Sequence, residues 1–87
     1  MSVERILDVR GLEQPEPLLR VLAALNSLAD GEYLRLLSHR DPVLIYPLLE
    51  QQGFTYEKPV DPAVSVEVLI WRAGDVLAAQ GVRDLSA

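Results

Sequence analysis

The side chains able to do chemistry concentrate in two short runs, Asp8-Val9-Arg10-Gly11-Leu12-Glu13-Gln14 and Ser38-His39-Arg40-Asp41. Asp8 and Arg10 lie two apart, on one face of an extended segment. An ion pair of Arg10 with Asp41 or Glu13 would rigidify that corner, and exposed pairs of this kind contribute only ~0–1 kcal/mol. Arg10 and Arg40 near two helix starts would also hold a small anion. The acidic residues Glu13, Glu16 and Asp41 already occupy those starts, which makes simple capping the plainer role.

His39 is the single histidine. A metal centre built on it would take Asp8 and Asp41, with Glu13 or Glu16, giving a hard, oxygen-rich set with one imidazole. Structural zinc prefers four nitrogen or sulfur ligands. The plainer role for His39 is a polar residue that ends a strand and hydrogen-bonds its loop. Beside Asp8 it would be placed as a general base. Nothing near it is an activated nucleophile, since Ser38 precedes it directly and neighbouring strand residues point to opposite faces. The candidate ligand or partner residues are therefore Asp8, Arg10, Gln14, His39 and Arg40. The metal set is His39, Asp8 and Asp41, and no residue is assigned a catalytic role.

The elements that must position these groups follow from pattern. Val3 to Val9 reads as a strand that Gly11 ends. Pro15 and Pro17 open a helix, where a missing N–H leaves no intrahelical bond unmade. Leu18, Val21, Leu22, Leu25 and Leu28 form its apolar stripe to about Ala29, and Asp30-Gly31 closes it. Glu32 to Ser38 alternates as a second strand. Asp41-Pro42 signals a second helix running to Gly53, with Asp41 as N-cap. Pro47 disturbs that helix and predicts a kink, or a turn before a shorter helix starting near Tyr46. Phe54 to Glu57 is a third strand, Lys58 to Ala63 a turn through two prolines, and Val64 to Arg72 a fourth strand. In that strand Val64, Val66, Val68 and Ile70 share one face, and Glu67, Leu69 and Trp71 the other.

The order βαβαββ predicts an α+β fold: a two-layer α/β sandwich with two helices on one face of a four-stranded mixed sheet. The first two strands are parallel if they are neighbours. Residues 1–73 make this domain and 74–87 a short C-terminal tail, helical in character, either folded back or used in association.

Composition bounds the function. Eighty-seven residues suffice for one core. The net charge is −5, with pI near 4.6 and the basic residues scattered, which argues against nucleic acid as a partner. There is no cysteine, hence no thiol chemistry or disulfide, in keeping with a cytoplasmic setting. The start shows no signal-peptide pattern and no apolar run is long enough to span a bilayer, so a membrane role is not expected. Hydrophobic residues make up 49% and mean hydropathy is +0.15, apolar enough for some of the surface to face a partner.

The run Leu7 to Pro17 resembles the opening motif of the TusA/SirA-like sulfur-carrier family, in which a strand, a Gly-Leu turn and a Cys-Pro-x-Pro helix start follow one another. The resemblance extends over most of residues 3 to 72. It implies the βαβαββ fold, and it places the carrier cysteine of that family at Gln14. A persulfide needs a sulfur nucleophile, which glutamine does not offer. Asp8-Val9-Arg10-Gly11-Leu12, Pro15-Glu16-Pro17, His39-Arg40-Asp41-Pro42 and the stretch from Leu49 to Tyr56 are similar to the cysteine-free branch of that fold. This branch is a bacterial domain family of unknown function, sometimes found beside hemerythrin-like domains.

The expectation is a non-catalytic protein-interaction module with no cofactor implied. Its contact would be a protein partner or a second copy, through the open sheet face with Leu37, Leu69 and Trp71, or through the tail with Val76, Leu77, Val82 and Leu85. The alternative is a metal- or small-anion-binding module of redox or regulatory purpose around His39 and Arg10. Sulfur transfer would require a partner to bring the sulfur.

Overall fold

The computed structural model describes residues 3–58 and 66–86. Its elements are β1 (Val3–Asp8), α1 (Glu16–Asn26), β2 (Glu32–Ser38), α2 (Ile45–Gln51), β3 (Phe54–Glu57), β4 (Val66–Arg72) and α3 (Val76–Ser86). The fold is α+β, with a four-stranded mixed sheet in the order β1-β2-β4-β3. Strands β1 and β2 are parallel, as a right-handed crossover through α1 requires, and β4 runs antiparallel to both β2 and β3. The turn expected between Lys58 and Ala63, and Val64, fall largely outside the described residues.

The period-two alternation of the strands decides which side chains meet. Leu34 and Leu36 pair with Ile70 and Val68, and Ser38 with Val66, on the first face. There α1 and α2 bring down Val21, Leu25, Ile45, Tyr46 and Leu49, and Val9 and Leu28 complete a contiguous core. Burying side chains of this size stabilises by roughly 1.5–3 kcal/mol each.

Helix α1 ends at Asn26, three residues before the expected Ala29. Ser27 explains the early stop. Its hydroxyl donates to the Ala24 carbonyl at 3.0 Å, and its own carbonyl accepts from the Arg5 guanidinium at 3.0 Å, both outside a regular helical ladder. Leu28 still reaches the core from the turn that follows. Gly31, at φ +82°, serves the tight turn in which the Glu32 N–H donates to the Ala29 carbonyl, and is not the residue just past the helix.

Helix α2 starts at Ile45. Asp41 and Pro42 belong to the preceding turn, where the Val43 N–H donates to the Asp41 carbonyl and the Ile45 N–H to that of Pro42. Of the two outcomes Pro47 allowed, the shorter helix is the one found. Pro47 is its third residue, a position whose N–H has no intrahelical partner in any sequence.

The C-terminal segment is a helix of eleven residues, α3, folded back on the second face of the sheet. Ala78 and Val82 pack on Tyr33, with Leu69 and Trp71 against them. Gly81 is buried as well. Positions 78, 81 and 82 share one helical face, and their small side chains let the helix lie close to the sheet. Two helices on one face are thus joined by a third on the other.

Candidate functional site

The loop after β1 and the loop after β2 leave the sheet at the carboxyl ends of the two parallel strands, where ligand sites of open α/β sheets gather. Between them is a cleft of about 660 Å³. Its floor is Val9, Leu36 and Ile45, all buried in the core. Glu13 and Gln14 line it from the first loop, and Ser38, His39, Arg40 and Asp41 from the second.

Backbone chemistry sets the first loop. The Leu12 N–H donates to the Val9 carbonyl at 3.2 Å, closing a turn whose third residue, Gly11, sits at φ +86°. A side chain there would meet nothing within 4 Å, so the backbone angle alone demands glycine. Gln14 then precedes Pro15 through a cis peptide bond, and α1 begins at Glu16.

In the second loop the Ser38 hydroxyl donates to the Arg40 carbonyl at 2.8 Å and accepts from the Arg40 N–H at 3.3 Å. That knot holds His39 between two anchored residues with its side chain exposed. It also commits the hydroxyl to the backbone, so Ser38 is not poised as a nucleophile for His39.

Of the residues singled out in the sequence, Gln14, His39, Arg40 and Asp41 come together on the cleft. Asp8 and Arg10 do not line it. Arg10 pairs with Asp8, not with Asp41 or Glu13: Nε donates to Oδ1 at 2.9 Å and an Nη to Oδ2 at 2.8 Å. The Arg10 backbone N–H adds a bond to Oδ1 at 3.0 Å. The guanidinium, followed by that N–H, holds the Asp8 carboxyl down at about 2, and the same partnership raises Arg10. Asp41 accepts the hydroxyl of Tyr46, whose phenol is pushed far up by burial and then by this carboxylate. Lys58 stands 3.9 Å from Asp41 and 4.3 Å above the Tyr46 ring, which stacks on Tyr56. His39, Asp8 and Asp41 are thus not gathered into one ligand set, and among the described residues no group of three or more His, Asp or Glu side chains is placed to hold a metal.

The sequence reading missed the aliphatic mouth of the cleft. Leu12, Val43 and Leu44 line it, and they are 38%, 59% and 73% exposed. The signal was present as three apolar side chains inside two loops that are otherwise rich in turn-forming and charged residues.

The sequence model of the family described as uncharacterized conserved protein (DUF2249) matches residues 6–72. The chain belongs to this family. The crystal structure of the SirA-like protein from Desulfitobacterium hafniense is similar at a TM-score of 0.65 and 22% identity, covering 78% of this chain and 95% of that one. At that identity the likeness establishes a shared fold. No curated protein matches. This DUF2249 member therefore shares the fold of that SirA-like protein, has no cysteine, and presents an amide at Gln14 in its first loop. Among the described residues no helix is long and apolar enough to cross a membrane.

Proposed function

We propose that this chain is a non-catalytic protein-binding domain, and that the cleft between the β1–α1 and β2–α2 loops receives an apolar segment of its partner. The supporting observation is the exposed cluster of Leu12, Val43 and Leu44 around a preformed cleft with a buried aliphatic floor. Aliphatic surface rimmed by polar groups, here Glu13, Gln14, His39 and Arg40, favours association. The lack of chemistry in the proposal rests on Gln14, which carries no nucleophile, and on Ser38, whose hydroxyl the backbone engages. The second sheet face is the other expected contact surface. There α3 lies over Tyr33, Leu69 and Trp71, so that face is covered, while Val76, Leu77 and Leu85 of α3 stay exposed.

The test is a photo-crosslinking residue in place of Val43, expressed in cells. The expected result is a discrete protein adduct that disappears when Leu44→Asp is added. Leu44 is exposed, so that change leaves the fold intact. An adduct indifferent to Leu44→Asp, or none, overturns the proposal.

One observation favours a second reading, a small anion held at the cleft. Among the described residues Arg40, Arg72 and Arg83 have no carboxylate within ion-pair distance, and of these Arg40 lines the cleft. Titration with inorganic phosphate would shift the His39 ring resonances saturably in the wild type and not in Arg40→Ala. Unchanged resonances in both remove this reading.

A further inference from the structure

Strand β1 is one edge of the sheet, and its free side is unlike that of the other edge, β3. The Val3 N–H donates to the Gly31 carbonyl and the Val9 N–H to that of Leu37. In a parallel ladder, alternate residues turn both backbone groups to the neighbour, so Val3, Arg5, Leu7 and Val9 face β2. Glu4, Ile6 and Asp8 turn theirs outward. β3 is four residues long and is followed at once by a lysine, whereas β1 has six residues with no proline, lysine or glycine among them. Short length, proline and lysine, three of the devices that discourage edge pairing, are missing from it, and charge is present as Glu4, Arg5 and Asp8.

The charges on β1 are neutralised within the chain. Glu4 accepts from the Tyr33 hydroxyl at 3.1 Å and lies 3.1 Å from the Arg35 guanidinium. Arg5 donates to Ser27 and lies 3.8 Å from Glu32, and Asp8 is clasped by Arg10. The exposed apolar side chains of the strand are Val3 at its start and, in its middle, Ile6, 61% exposed and level with Arg35 on the second sheet face.

We infer that β1 pairs with β1 of a second copy, antiparallel about a two-fold axis, joining the two sheets into one. The outward groups require residues 4, 6 and 8 to face one another across the axis, and setting Ile6 opposite Ile6 brings the two exposed apolar side chains together. With Ile6 opposite Ile6, Glu4 falls opposite Asp8 on both sides of the axis. Every outward N–H and C=O of these residues then finds a partner, because residues facing each other in such pairs exchange both bonds. Each Glu4–Asp8 pair brings its own two cations, Arg35 and Arg10, so the carboxylates meet already compensated. The two neighbouring registers set Ile6 opposite Glu4 or opposite Asp8, so the exposed apolar side chain loses its apolar partner. One strand edge buries less than a standard interface, so the dimer is a reversible one.

This inference is independent of the cleft. Sedimentation velocity on the full chain from about 10 μM to about 1 mM should show a monomer–dimer equilibrium. Ile6→Lys and Ile6→Pro should each weaken it at least tenfold. Proline is tolerated at an edge position whose N–H points outward, so the second variant keeps the monomer folded, which circular dichroism verifies. Leu44→Asp should leave the dimer unchanged. In a mixed-label sample, a cross-copy contact between the Hα atoms of Arg5 and Leu7 would establish the register. A monomer throughout the range, or a dimer unaffected by both Ile6 variants, overturns the inference.

Discussion

The two faces of the sheet are covered by different means. On the first, α1 and α2 press branched aliphatic and aromatic side chains onto Leu34, Leu36, Val66, Val68 and Ile70. On the second, α3 packs only Ala78, Gly81 and Val82 onto Tyr33, Leu69 and Trp71, and a few polar contacts add to this smaller apolar patch. Asp75 accepts from the Ala78 N–H at 3.1 Å, capping α3, and from the Gly31 N–H at 2.8 Å, in the turn that leads into β2. Beyond the reach of α3, the second face carries an ion-pair row, with Arg35 3.1 Å from Glu4 and 3.0 Å from Glu67. The first face is held by non-directional burial distributed over many side chains. The second adds a few directional contacts to a small apolar patch, so removing one of them matters locally.

That contrast is open to direct attack. Leu36→Ala, in the middle of the first face, should lower unfolding stability by about 3 kcal/mol. Val82→Ala, under α3, should lower it by about 1.5 kcal/mol, the loss of a smaller buried group at a site with fewer layers to collapse. Urea denaturation of both variants measures this, and equal or reversed losses would break the comparison. Asp75→Ala should cost about 1 kcal/mol through the lost cap. Its sharper signature is spatial. Amide exchange in α3 should accelerate while the amides of Leu36 and Val68 keep their protection, and Asp75→Asn, which retains the capping oxygen, should largely restore the wild-type pattern. Uniform acceleration across the sheet would mean that α3 is not a separable layer.

What was legible in the sequence divides along the same line. The first face was readable because strong periodicity marked it: Leu34 and Leu36 alternate, Val66, Val68 and Ile70 alternate, and α1 repeats at three and four residues. β1 to β4, two of the helices and the corner at Gly11 were therefore found, as was Gln14 at the mouth of α1. The third helix was underrated as a tail. Its inward stripe is Ala78, Gly81 and Val82, which reads as weak amphipathicity, and Gly81 lowers helix propensity. The missed signal was Asp75 just after Gly74, three residues ahead of the amide it caps. At the candidate site the structure brings Gln14, His39, Arg40 and Asp41 onto one cleft and leaves Asp8 and Arg10 off it, and the partners these residues take were not foreseen. Whether Arg10 turns to Asp8 or across to Asp41 depends on where Tyr46 places its hydroxyl, and that in turn on α2 beginning at Ile45. Such choices are tertiary, and residue spacing does not encode them.

The smallest predicted effect on stability gives a sharp reading of the corner. The folded Asp8 carboxyl sits at about 2 against an ordinary value of 3.8, so its contribution is fully present above that ordinary value and is lost as pH falls towards 2. The pair is solvent-exposed, and its effect on unfolding is expected to be slight. The titration itself is the measurement. The Asp8 side-chain carbon resonance should show a midpoint near 2 in the wild type and rise in Arg10→Ala towards the ordinary carboxylate range, since the guanidinium is the leading cause and only the backbone N–H remains to lower it. His39→Ala should barely move it, because the imidazole is the weakest of the influences on Asp8 and belongs to the cleft. If instead His39→Ala raised the midpoint as much as Arg10→Ala, the two groups would form one electrostatic unit. The separation of a closed ion pair from an open apolar cleft would then have to be given up.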